Sequence, residues 1–354
     1  MSKQAAAYLG VSKPAGAHKL GRFQALDGMR GIAAFCVILE HLSLNFPLGN
    51  YAPPFAYLAV DMFFALSGFV LAYSYDQRFA AGMTTRTFMV QRARRLFPLY
   101  LVGTLCGLLT IPLIALRGLP LVISSINSLF LLPGASKETL FPLNSPAWSL
   151  FFEFWFANLL LVIGWRVLRG RLLLVLICLA SIGVAIGGIK SGWLNTGFSY
   201  ASLPYGFART FFSFFLGVVL SRHHGEHRPA FRLPVWLLLL TMAWIFCAPL
   251  KGRIGHAHEL LAVLIGFPLL IYYGADSIET PSADAEWLGD ASYPAYAIHW
   301  PFLVALGAVA AAFHWPRNLW IELLIASLVM VFARELHHRF DVPFRKRIAR
   351  TWPI

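Results

Sequence analysis

Residues 28–47, GMRGIAAFCVILEHLSLNFP, form an apolar run of about the twenty residues a helix needs to cross a bilayer, interrupted by Arg30, Glu40 and His41. Nine more runs follow, at 55–75, 97–116, 146–165, 172–189, 203–220, 233–250, 258–275, 291–313 and 318–336. The stretch at 121–132 is too short to cross and reads as an interfacial or re-entrant segment. The composition agrees: 58% of the 354 residues are hydrophobic and 13% charged, with a mean hydropathy of +0.66. Such values exclude a soluble single-core enzyme. They also argue against a nucleic-acid binder, because the net charge of +13 sits between long apolar runs. The expected fold is an all-α integral membrane protein with about ten transmembrane helices.

Ten spans place both termini on one side, and positive charge identifies that side. Of the 29 Lys and Arg residues, 22 fall in segments of the terminal side, six in those of the other, and Arg209 lies inside a span. The N-terminus and C-terminus are therefore expected in the cytoplasm, with the membrane as the main surrounding partner. No signal peptide precedes residue 28, so the first run is read as a retained helix. The expected organisation is a flexible cytoplasmic tail over 1–22, one membrane domain over 23–338 and a short basic cytoplasmic tail over 339–354. Cys36, Cys106, Cys178 and Cys247 lie in four different apolar runs, a spacing that suits neither disulfides nor zinc. His223, His224 and His227, in a basic loop, read as surface residues; no metal site is expected.

Ionisable groups at membrane depth are costly and mark function by default. Arg30 and His41 are eleven residues apart, close to three helical turns, so they share one face about 16 Å apart along the axis. The second and fourth spans run inward, which brings Asp61 and Glu153 to nearly the depth of His41. His41, Asp61 and Glu153 are therefore the candidate catalytic groups, with the imidazole as general base and a carboxylate to orient it. Trp148, Ser149 and Arg209 are candidates for holding an acceptor. The competing reading for Asp61 and Glu153 is a buried pair with Arg209.

A second level faces the cytoplasm. Arg30, with Arg92, Arg94 and Arg95 in QRARRLFPLY, offers planar guanidiniums suited to phosphate. The ninth span opens SYPAYAIHWP, where Ser292, Tyr296 and His299 share a face, and His299 is expected about two turns inside the cytoplasmic surface. Tyr296 and His299 therefore join the candidate donor-binding set.

These stretches together resemble the acyltransferase-3 family of membrane O-acyltransferases. LDGMRGIAAFCVILEH (26–41) is similar to its Arg, ten residues, His hallmark; VDMFFALSGFVL (60–71), RRLFPLY (94–100), WSLFFE (148–153) and SYPAYAIHWP (292–301) follow in family order. Met29, Ala65 and Ile298 depart mildly from the usual residues. The resemblance implies a ten-helix enzyme of a bacterial plasma membrane, moving an acyl group, often acetyl, from cytoplasmic acyl-CoA to a hydroxyl, commonly of a glycan, at the outer side. Acyl-CoA would be a co-substrate, with no permanently bound cofactor. The resemblance also implies a stand-alone form without the SGNH-type domain of some members. The rival class is a transporter or flippase for a glycan or lipid-linked precursor, which often shows repeated halves; this sequence shows none.

Overall fold

A computed structural model describes residues 23–45, 52–113, 116–277, 282–315 and 318–351; the tail read over 1–22 lies outside them. Every regular element among the described residues is helical. In order these are α1 (Gln24–Asn45), α2 (Ala59–Ala80), α3 (Thr85–Leu109), α4 (Gly118–Leu129), α5 (Ala147–Phe151) and, beyond a π-helical turn at Phe152–Asn158, α6 (Leu159–Gly164). Then come α7 (Gly170–Ser191), α8 (Leu203–Glu226), α9 (Val235–Cys247), α10 (Gly252–Leu261), α11 (Phe267–Gly274), α12 (Ala283–Ala312), α13 (Leu319–Leu336) and α14 (Val342–Thr351).

The protein is an all-α membrane protein. Among the described residues, six helical stretches are long and apolar enough to cross a bilayer: Ala56–Ala80, Ala147–Gly164, Gly170–Ser191, Tyr200–Glu226, Gly252–Gly274 and Ala283–Ala312. α1, α3 and α13 have spanning length but carry charged residues, and α9 has 13 residues. α4, over the short apolar stretch, has 12 residues and exposes Leu119, Val122 and Ile126. Burial follows the logic of a lipid solvent. Leu174, Leu179, Ile182 and Ile189 of α7 face outward, whereas Asp61, Arg209 and His299 are buried. Apolar side chains lose nothing by facing hydrocarbon; ionisable ones need protein partners there.

Two helix pairs organise the bundle. α1 runs parallel to α12, since Arg30 meets Ser292 at one end and His41 meets His299 further along. α2 runs parallel to α8, with Asp61 on Arg209 and Asp76 on Arg222. Both pairs depend on close backbone approach. A Cβ on Gly31 would collide with Leu288, and one on Gly68 with the Phe214 carbonyl.

Two helices begin eight or more residues before their apolar runs. α3 starts at Thr85, where the Thr84 side chain accepts from the Thr87 amide at 3.2 Å, so Arg92, Arg94 and Arg95 are helical rather than loop residues. α12 starts at Ala283 behind a Ser282 cap, with Asp284 and Glu286 in its first turn. Both caps lie among polar residues, where a hydropathy window sees no helix. Pro301, inside α12, has no N–H to give the Ala297 carbonyl; Asn144 Nδ2 donates to that oxygen at 2.9 Å instead. Of the stretch read as a basic tail, 342–351 form α14, which packs against α3.

Candidate active site

The twelve residues singled out in the sequence fall into three groups. In the first, His41 Nδ1 and His299 Nε2 are 2.6 Å apart, and Trp300 stands edge-on to the His41 ring with centroids 5.1 Å apart. His299 is fully buried, and its Nδ1 lies 2.9 Å from each of the Ala295 and Tyr296 carbonyl oxygens. This corrects the expected depth of His299. Because α12 begins eight residues before the apolar run at 291, His299 stands more than four turns along its helix, level with His41 rather than with the arginines. One turn back, the Tyr296 hydroxyl is 2.6 Å from Ser149 Oγ and donates to the Pro146 carbonyl at 2.8 Å.

The second group surrounds a cavity of about 140 Å³ lined by Arg30, Arg92, Arg95, Ser149, Glu153 and Tyr296 among others. Arg30 donates through Nε to Ser292 Oγ at 2.8 Å and through Nη2 to the Gly289 carbonyl at 2.9 Å. Arg92 and Glu153 form an ion pair at 2.7 Å, and Arg92 Nε, buried, has no hydrogen-bond partner among the described residues. Arg94 lines neither this cavity nor the next. Glu153 is thus placed one turn below Ser149, bonded to an arginine, not beside the imidazole. The π-helical turn that begins at Phe152 re-aims this stretch and carries Glu153. A second cavity of about 360 Å³ adjoins the first, sharing Arg30, Arg95 and Tyr293 with it and adding Asp27, Asp341 and Arg345.

The third group stands apart. Asp61 is wholly buried under Arg209, which donates through Nη2 at 2.7 Å and through Nε at 3.2 Å to both carboxylate oxygens. Arg209 also donates to the carbonyls of Thr196 and Tyr57, and its guanidinium lies 5.5 Å from the Trp148 ring. The carboxylate so enclosed makes no contact with His41 among those the structure records. The convergence expected of His41, Asp61 and Glu153 in one chamber is therefore not what the structure places. Asp61 and Glu153 each take a different arginine.

Sequence reasoning passed over three participants. Tyr293 lines both cavities and donates to the Leu96 carbonyl at 2.5 Å; it stands inside the SYPAYAIHWP stretch, adjacent to Ser292, and could have been flagged there. Ser67 lines the first cavity from α2. Asn144 supports α12 from a loop, and no local signal announces that role. His224, expected at the surface, is buried among the rings of Phe23, Phe69 and Tyr272. No group of metal-ligand type occurs among the described residues.

Residues 23–333 match the model of a family described as an acyltransferase domain, acyltransferase-3. A protein of Rhizobium radiobacter named protein 2 in the picA locus is 37% identical over 37% of this chain and 77% of its own length. The peptidoglycan O-acetyltransferase OatA of Listeria monocytogenes is 24% identical over 91% of this chain. The match spans 55% of OatA's length. No solved structure matches.

Proposed function

The chain belongs to the acyltransferase-3 family, and we propose that it is an O-acyltransferase that takes an acetyl or similar acyl group from acyl-CoA in the cytoplasm. The acceptor is a hydroxyl of a surface or secreted glycan on the outer side of a bacterial plasma membrane. The chain crosses that membrane ten times with both termini inside.

The observation that carries this reading is the line of polar groups from the second cavity to the histidine pair. The second cavity carries Arg345, and Arg30 and Arg95 line both cavities; Ser149 and Tyr296 line the inner one, and the Tyr296 ring lies 6.0 Å from that of His299. Such a path suits a donor that is anionic at one end and reactive at the other. The arginine forks of the second cavity bind the CoA phosphates. The inner cavity takes the pantetheine arm, the Ser149 hydroxyl donates toward the thioester carbonyl while that of Tyr296 stays on the Pro146 carbonyl, and His41 removes the acceptor proton. The thiolate then leaves as free CoA. The OatA resemblance supports a glycan as acceptor.

Purified protein in detergent, given acetyl-CoA and a soluble glycan, is expected to release free thiol and yield an acetylated sugar by mass spectrometry. Glycan-independent silence toward acetyl-, propionyl- and longer acyl-CoA alike, by protein that remains folded, would overturn the proposal.

A further inference from the structure

The His41–His299 contact is a hydrogen bond between coplanar rings. The planes lie within 6° and the centroids are 4.9 Å apart. An N···N separation of 2.6 Å is shorter than face-to-face rings permit, so the two imidazoles meet edge to edge, with the bond along the lone-pair direction. The direction of that bond follows from the other side of His299. Its Nδ1 is within 2.9 Å of the Ala295 and Tyr296 carbonyl oxygens. Carbonyl oxygens only accept, so Nδ1 carries the hydrogen and Nε2 of the neutral ring is a bare lone pair. His41 Nδ1 must then donate to it.

The geometry points to His299 as a positioning residue that holds His41 in the Nδ1–H tautomer and leaves His41 Nε2 as the basic nitrogen. In enzymes that use a histidine base, a carboxylate commonly does this; here the carboxylates of Glu153 and Asp61 are taken by Arg92 and Arg209. A neutral imidazole locked by two helix carbonyls supplies the acceptor without placing a second charge in the membrane. The Asn144 side chain, bonded to the Ala297 carbonyl that Pro301 leaves without an N–H, supports the turn of α12 that carries His299.

The inference rests on the acyl-transfer reading for its catalytic consequence. As the acceptor oxygen bonds to the thioester carbon, its proton passes to His41 Nε2. The C–S bond breaks, the thiolate takes that proton, and the products are an ester and free CoA. While His41 carries both protons, its Nδ1–H stays on His299 Nε2.

The test combines a spectroscopic and a kinetic arm. In protein labelled with ¹⁵N-histidine and reconstituted in bilayers, the His41 signals, assigned by their loss in His41→Ala, are expected to show protonation on Nδ1 alone. His299→Phe, which removes the acceptor, should give mixed tautomers and lower kcat about 10²-fold or more while leaving KM for acetyl-CoA largely unchanged. His299→Gln, whose amide oxygen can accept the same bond, should recover part of that loss. A wild-type His41 protonated on Nε2, or a His299→Phe protein with wild-type kcat, would overturn the assignment. The expected tautomer in a chain that transfers no acyl group would sink the functional reading alone.

Discussion

The Arg92 guanidinium meets the Glu153 carboxylate at 2.7 Å, and both side chains are less than a tenth exposed. Breaking such a pair from one side strands a charge in low dielectric and costs about 3–5 kcal/mol, whereas replacing both partners by apolar residues is often close to neutral. Glu153→Leu is expected to lower the melting temperature in detergent markedly, and R92M/E153L to regain most of it. A double variant no more stable than the single one would deny Glu153 its role as counter-ion.

Arg209 encloses Asp61 with three donor contacts and draws two backbone carbonyls into the same knot. Asp61→Asn keeps the shape and removes the charge. The expected result is a loss of about 3–5 kcal/mol, read as earlier thermal aggregation of purified protein. Unfolding that coincides with wild type would show that the pair does not hold α2 to α8.

Arg30 uses its fork on Ser292 and the Gly289 carbonyl, which leaves the group fixed at the junction of the two cavities. Lysine, a compact point charge without the planar fork, cannot span both partners and a phosphate at once. Arg30→Lys is expected to raise KM for acetyl-CoA about tenfold, the loss of one charge-assisted hydrogen bond. Isothermal titration with CoA checks this directly; equal affinity in the two proteins would return Arg30 to a purely structural task.

His41→Ala is expected to abolish acyl transfer while leaving CoA affinity and melting temperature near wild type, since His41 is only half-buried. Thiol release by the variant at an appreciable share of the wild-type rate would remove His41 from the chemistry.

Ser67 lines the inner cavity and is half-buried. A cysteine there, with the four native cysteines replaced, should react with an impermeant thiol reagent from the cytoplasmic side and be shielded by acetyl-CoA. Labelling confined to the outer face would reverse the proposed direction of donor access.

Much was legible before any coordinate. Each apolar run overlaps a helix, because the length needed to cross hydrocarbon and the rise per residue are properties of the chain alone. The shared face of Arg30 and His41 also followed from spacing within one helix, and both residues do turn toward α12. What spacing could not reveal was lateral choice. Asp61, Glu153 and Arg209 were each placed at a depth, with a buried pair to Arg209 as the competing reading for either carboxylate, yet depth does not say which neighbour a side chain meets across a bundle; packing gave Arg209 to Asp61 and Arg92 to Glu153. The helix starts at Thr85 and Ala283 lay outside the apolar runs, set by caps among polar residues, and the second of them moved His299 from the arginine level to His41. The single-helix facts came from local geometry; the pair that defines the candidate base joins residues 258 positions apart, and only tertiary packing brings them together.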